Sequence, residues 1–442
     1  MAGIEMNVPL AGGQKLEARA DAGSARAVAA KPSGGEAAPA GYARAYLRKF
    51  RGAGVAGAPR PHPTQHLWSF LGAFLGFALL GLMDRAAKVW IDGSWAALTP
   101  PFGAMAVLVF SACKAPLAQP RNVIVGNFIG GTVGYLVWTF MHELCVLLGK
   151  ADADLLWLTA AFAVSLTIVV QERLGAVLPP GGATALIYVI VTPVRAMGAF
   201  YPIFPCLVCP CAWVGLGVLT NNLSRNRAYP QTSWRSAGRP GSDAKSPAPA
   251  TWLAKYVKKL GGMSVAPPPK TPVVQSCWSF LGSFVGIATL ALLPRPIQAV
   301  IPGFPAPLLV GSFGAMAVLV FGAYKAPLAQ PKNAVLGNGI GAACGVAVYH
   351  LFALFGNEVA PELLWLRAGL AVPLTIVLQE ATGTVHPPGG ATAMVFLIMK
   401  PLHSLSFLYV ITPAMFGAVV MVCLGMVMNN LTTTRAYPQG WW

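Results

Sequence analysis

Apolar residues fall into long runs broken by short polar clusters, and the runs come in two sets of six. In the first set they occupy roughly residues 66–83, 102–113, 122–147, 155–174, 181–193 and 199–221. A helix needs about 20 apolar residues to cross a bilayer. Four runs reach or approach that length. The runs at Phe102 and after Pro180 are too short and predict half-helices. Both begin alike, Pro100-Pro-Phe-Gly-Ala-Met-Ala and Pro179-Pro-Gly-Gly-Ala-Thr-Ala, after a polar or helix-breaking cluster. This layout fits three segments followed by three of opposite orientation, the inverted repeat of many transporters. It fits equally a simple recurrence of small residues, which any close helix crossing favours.

The second set copies the first. Trp68-Ser-Phe-Leu-Gly returns at Trp278, and Phe102-Gly-Ala-Met-Ala-Val-Leu-Val-Phe110 returns unchanged at Phe313 to Phe321. Lys114-Ala-Pro-Leu-Ala-Gln-Pro-Arg-Asn122 returns as Lys325-Ala-Pro-Leu-Ala-Gln-Pro-Lys-Asn333, and Arg227-Ala-Tyr-Pro-Gln231 at Arg435. A constant offset over the whole unit is a duplication. It divides the chain into a disordered tail (1–40), a first membrane domain (41–231), a basic Ser/Pro/Gly linker (232–250) and a second membrane domain (251–442). Each domain opens with a basic segment carrying an apolar stripe: Tyr42, Tyr46, Leu47 and Phe50, then Trp252, Tyr256, Val257 and Leu260. Such segments are expected to lie in the membrane interface, or else to be ordinary solvated helix ends.

Composition agrees with membrane spans. The chain is 55% hydrophobic and 10% charged, with mean hydropathy +0.61. The net charge of +17 is concentrated before the first run (Arg44, Arg48, Lys49, Arg51, Arg60) and between the sets (Arg225 to Lys270). That places both zones on one positive-inside face, and an even number of crossings requires the same. Charge that flanks spans does not point to nucleic acid. Cys206-x-x-Cys209-x-Cys211 has metal-like spacing. It has no nearby His or acid and no counterpart in the second copy, so no metal is expected. No cofactor is expected either, and no Gly-Lys-Ser/Thr loop for ATP occurs.

The octapeptide Leu178-Pro179-Pro180-Gly181-Gly182-Ala183-Thr184-Ala185 recurs as His386-Pro387-Pro388-Gly389-Gly390-Ala391-Thr392-Ala393. Lipid cannot satisfy a broken backbone, so each break faces protein or a water-filled cavity. Two readings stand. In one, the N–H groups of Gly181, Gly182, Ala183 and Thr184, and of Gly389, Gly390, Ala391 and Thr392, are free to hold an anion. In the other, the break only shapes packing. Glu172 and Glu380 end the preceding helix, and a carboxylate at that depth is costly and usually functional. Glu380 lies six residues before His386, so the two are expected to face one cavity and pass protons; a wet loop is the plain alternative. Lys114, Gln119, Arg121 and Asn122, with Lys325, Gln330, Lys332 and Asn333, form clusters that either attract an anion or sit in solvated loops. Asn127 and Asn338 either line a path or bond neighbouring helices.

These blocks resemble the HPP family of integral membrane proteins, whose naming tripeptide matches His386-Pro387-Pro388. The resemblance implies four spans per domain. It also implies nitrite transport, which is associated with some plant and cyanobacterial members, in plants across the chloroplast envelope. Two departures stand out. The chain is a tandem pair, and its first copy has Leu178 where the second has His386.

The expectation is an all-α polytopic membrane protein of two homologous helical bundles about a pseudo-two-fold axis, each with about four long spans and two half-helices. It is expected to transport a small inorganic anion, nitrite first, with proton coupling or gating by Glu172, Glu380 and His386, and not to be an enzyme. The rival expectation is a structural or assembly subunit. Membrane lipid and the anion are the expected partners, with self-association or a larger membrane complex left open.

Overall fold

The computed structural model describes residues 63–90, 97–224, 226–231, 271–305, 307–356 and 360–441. The tail, both interfacial segments and the linker lie outside them. The described residues belong to one unit, Tyr46–Trp442, and contain helices and no strand. Eight helices are long and apolar enough to cross a membrane. In chain order the first copy has α1 (Pro63–Val89), α2 (Pro101–Ser111), α3 (Pro120–Leu147), α4 (Leu156–Leu174), α5 (Pro179–Ile190) and α6 (Phe200–Leu223). The second has α7 (Val273–Val300), α8 (Ser312–Gly322), α9 (Pro331–Ala353), α10 (Pro361–Thr382), α11 (Pro387–Ile398) and α12 (Val410–Asn430). Helices α2, α5, α8 and α11 are the short ones, where the sequence puts half-helices. Many large apolar side chains stay exposed on the long helices, among them Leu75, Phe140, Leu281 and Leu351. A water-soluble monomer rarely tolerates so much apolar surface, and lipid covers it at no cost.

Helix ends explain the breaks. Gly175 and Gly383 adopt positive φ (62° and 67°) and close α4 and α10. The Ala176 N–H bonds Gln171 O at 2.8 Å and the Gly175 N–H bonds Glu172 O at 3.2 Å, the paired bonds of a glycine-terminated helix. The chain then runs extended to Leu178, and the two prolines start α5 with φ already suited to a helix.

Small residues set the packing. Gly126, Gly130 and Gly134, four apart on one face of α3, meet Leu178, Gly181 and Ala185 in turn. The numbers rise together, so α3 and α5 run parallel. Gly337, Gly341 and Gly345 of α9 meet His386, Gly389 and Ala393 of α11 in the same way. A methyl group at these glycines would collide with backbone.

The two bundles interlock rather than sit side by side. Helix α4 of the first copy lies antiparallel against α7 of the second. Ser283 Oγ bonds Ser165 Oγ at 2.9 Å, and Ser279 Oγ bonds Glu172 Oε1 at 2.7 Å. Helix α10 of the second lies against α1 of the first, with Ser69 on Glu380 at one end and Trp365 against Phe74 and Gly81 at the other. The half-helices cross over too. Gly103 of α2 touches Gly390 of α11 backbone to backbone, and Gly314 of α8 touches Gly182 of α5. All four glycines fall in the first turn of a half-helix. Just beyond them Ala104, Ala183, Ala315 and Ala391 pack together with no exposure. Four helix N-termini therefore converge inside the bundle.

Candidate functional site

Two features carry unusual chemistry: the central convergence, and a buried charge cluster at each crosswise seam.

At the centre, the free donors expected at the Pro-Pro-Gly-Gly breaks are not present. A helix leaves its first four N–H groups without intrahelical partners. At α5 the Leu178 N–H bonds Gln171 Oε1 at 3.0 Å, Pro179 and Pro180 have no N–H, and the Gly181 N–H bonds Leu178 O at 3.0 Å. At α11 the His386 N–H bonds Gln379 Oε1 at 3.1 Å, Pro387 and Pro388 have none, and the Gly389 N–H bonds His386 O at 3.0 Å. Gly182 and Gly390, the next residues, lie inside the helical ladder. Thr184 Oγ1 donates to Asn127 Oδ1 at 2.6 Å, and Thr392 Oγ1 to Asn338 Oδ1 at 2.7 Å. The Asn residues thus bond a neighbouring helix. What the turns retain is the positive end of each dipole, not open donors.

Gln171 and Gln379 hold this geometry. Each amide donates to a carbonyl of the adjacent span, Gly126 O at 2.8 Å and Gly337 O at 2.9 Å, while its oxygen takes the residue before the prolines. Both are fully buried.

The expected Glu380–His386 pair does not form. The carboxylate at the end of α10 turns to the other copy, and the imidazole turns to a loop of its own. His386 Nδ1 lies 2.7 Å from Leu328 O, and its side chain is fully buried. Glu380 Oε2 lies 2.6 Å from His66 Nδ1, and Oε1 accepts Ser69 Oγ at 2.6 Å; both partners belong to α1. Glu172 likewise accepts Ser279 of α7.

Behind each serine stands an arginine. Arg227, just past α6, donates to Gln65 Oε1 and Gln65 O at 2.7 Å each, Phe110 O at 2.6 Å, Asn221 Oδ1 at 3.1 Å and Ser69 Oγ at 2.5 Å. Arg435, past α12, repeats this on Gln275, Phe321, Asn429 and Ser279. A guanidinium has five N–H donors, and five acceptors surround each. Phe110 O and Phe321 O end half-helices that widen into a π turn, where a cation meets the negative end of the dipole. Burial pulls both guanidinium values below the ordinary one; Cys113 and Glu380 oppose this at Arg227, Tyr324 and Glu172 at Arg435. Arg227 ties the start of α1 to the end of α6, so both lie at one face, here called proximal.

The Lys/Gln/Arg/Asn clusters do not form a single patch. Gln119 and Gln330 are buried staples: each amide donates within its own loop, and each oxygen accepts from the residue after Arg-Ala-Tyr-Pro, Gln231 N and Gln439 N at 2.7 Å. Arg121 caps the end of α4 through Leu174 O at 2.8 Å. Asn122 and Asn333 hold Val177 O and Val385 O. Lys114 and Lys325 stay exposed, and Lys332 is half-buried. Most of the cluster is thus spent on fixing the loops before the half-helices.

His66, Ser69, Ser279, Arg227 and Arg435 are what the motif reading passes over. A signal for the arginines exists: each follows the last span of its copy in a repeated block.

A transmembrane protein of Dictyostelium discoideum is 36% identical over 198 residues, which is 43% of this chain and 65% of that protein. A second transmembrane protein of that organism is 36% identical over 193 residues, 43% of this chain and 58% of its own length. The chain thus spans less than two thirds of the curated relatives it matches. No solved structure matches it. The family described as "HPP, transmembrane region" matches twice, over residues 58–230 and 268–438. With two matched regions that take in all twelve helices, the chain belongs to the HPP transmembrane family as a tandem pair.

Proposed function

We propose that the protein carries a small inorganic anion, nitrite first, across the membrane it spans, as a secondary carrier or channel and not as an enzyme. The convergence of four half-helix N-termini at Ala104, Ala183, Ala315 and Ala391 carries this reading. Each turn contributes roughly half a positive charge from its dipole, in a region where lipid and apolar side chains screen little. Broken helices meeting near the middle of a bundle are the common place for an anionic substrate. The choice of nitrite, and of the chloroplast envelope as its membrane, rests on the family resemblance. Since the Gly181 and Gly389 N–H groups are internally bonded, the anion would be drawn to these two turns by field rather than by those donors. Passage would also require the Gly103–Gly390 or Gly182–Gly314 crossing to open. Glu172 and Glu380 are the buried acids available for proton coupling.

The test is flux of nitrite, nitrate, formate and chloride into proteoliposomes holding the full chain, with and without an inward proton gradient. Saturable nitrite uptake above empty vesicles is the expected result. Uptake of none of the four would leave the second reading, a structural subunit of a membrane complex. The closed packing of the four central alanines favours that reading.

A further inference from the structure

The residues that link each arginine to its carboxylate match between the two seams, and the residue beside the carboxylate does not. Gln65 and Gln275, Ser69 and Ser279, Asn221 and Asn429, and Arg227 and Arg435 occupy the same roles around Glu380 and Glu172. One turn into the helix that receives the carboxylate, α1 has His66 and α7 has Ser276. The exchange changes what each site can do. His66 Nδ1 lies 2.6 Å from Glu380 Oε2, and the imidazole is 20% exposed in the first turn of α1, at the proximal face. Ser276 stands beside Glu172 but is 2% exposed and cannot titrate. Glu172 itself is 2% exposed. One carboxylate therefore has a titratable neighbour reaching the surface, and the other is sealed.

We propose that only one of the two seams exchanges a proton. The His66–Glu380 pair takes up and releases a proton at the proximal face, while Glu172, whose neighbour Ser279 links it to Arg435, has no titratable partner among the described residues through which to exchange one. In the unloaded state the imidazole is neutral and donates its Nδ1–H to Glu380. Uptake forms one N–H bond at Nε2, with the proton taken from hydronium and water left behind. The imidazolium then lies against the carboxylate, and release reverses the step. Among the described residues, the other groups near the pair are Arg227, which reaches Glu380 through Ser69, and the Cys113 thiol with Lys114 beside it just past α2. The two halves thus differ in function although they share a fold. The inference rests on the proton-coupling part of the reading above and deepens it, with His66 in the place that the sequence expectation gave to His386.

The test is infrared difference spectroscopy of the full chain in lipid nanodiscs, acid minus alkaline, where each glutamate's band is assigned by its loss in a Gln variant. The expected result is a pH-dependent carboxylate band that vanishes in Glu380→Gln and His66→Ser and is unchanged in Glu172→Gln. Ser276→His should add a second such band, one that Glu172→Gln removes. This gain keeps the idea testable should His66→Ser fail to fold. Persistence of the Glu380 band shift in His66→Ser would overturn the proposal. So would a loss in Glu172→Gln equal to that in Glu380→Gln, or no second band in a folded Ser276→His protein. Flux without this titration removes the proposal and leaves transport standing; the titration without flux does the reverse.

Discussion

Glu380, in the second copy, accepts a hydrogen bond from Ser69, in the first, at 2.6 Å. Glu172 and Ser279 repeat the contact with the copies exchanged, at 2.7 Å. Both carboxylates lie at the end of a span and are 2% exposed. A charge at that depth needs a partner, and each copy receives its partner from the other. The duplication has thus given neither half a complete buried network of its own.

The arginines behind those serines should be the most sensitive polar residues. In Arg227→Ala, Glu380 loses its counter-charge, and Phe110 O, Asn221 and Gln65 lose a donor. Removing one member of a buried charged pair costs about 3–5 kcal/mol. Arg227→Lys should recover little, because an ammonium cannot serve acceptors spread around a planar fork. Thermal unfolding in detergent reads this. A shift no larger than that of Lys150→Ala, at an exposed position, would remove the arginine from the stability argument.

The central crossings predict a sharp contrast among glycines. A methyl group added at Gly103 meets the Gly390 carbonyl, and one added at Gly390 meets Gly103. Gly103→Ala and Gly390→Ala should each cost about 1–3 kcal/mol through overpacking against a backbone that cannot step aside. Gly215, in α6, has nothing within 4 Å of the added methyl. Gly215→Ala should be neutral or gain up to about 1 kcal/mol of helix propensity. The same unfolding measurement ranks all three, and equal shifts would refute the close crossing.

The half-helices are legible in the sequence, because a run of eleven or twelve apolar residues behind a proline or glycine break has no other membrane-compatible use. The crosswise seams are not. Apolar periodicity says that α4 has a face to bury, and it says nothing of whether α7 or a helix of the same copy covers it. The Glu380–His386 expectation fails for that reason: six residues separate the pair in sequence, but a left-handed Gly383 and an extended segment turn them apart. Copy comparison marks Arg227 and Arg435 because both copies keep them. It marks position 386 because the copies differ there. His66 against Ser276 is the same kind of difference, and only the geometry shows that it faces a carboxylate.

Gln171 and Gln379 look like incidental neighbours of the glutamates in sequence, yet each spans a helix break from both sides. Replacement by Leu should strand Gly126 O and the Leu178 N–H, or Gly337 O and the His386 N–H. A buried group left unpaired costs about 1–3 kcal/mol. Gln171→Glu should fare no better, because an ionised carboxylate has no donor for Gly126 O. Limited proteolysis between α4 and α5 reports the loosening directly. A Gln171→Glu protein as resistant as wild type would show that the amide does not hold the break.

The interlocked seams also predict how the chain behaves when cut. Opening the backbone between residues 232 and 250 leaves one piece with α1 to α6 and one with α7 to α12. Each piece alone exposes a buried glutamate, the apolar faces of α1 and α4 or of α7 and α10, and two half-helices without their glycine partners. Coexpressed pieces regain all of these contacts without a covalent link. A tag on the first piece should therefore retain the second through detergent extraction and gel filtration, in equal amounts. Glu172→Lys with Glu380→Lys should abolish that retention, since two buried like charges would then face Arg435 and Arg227. Were each half a self-sufficient bundle, both pieces would purify alone as stable, monodisperse monomers. That outcome would mean the crosswise seams contribute little to holding the protein together.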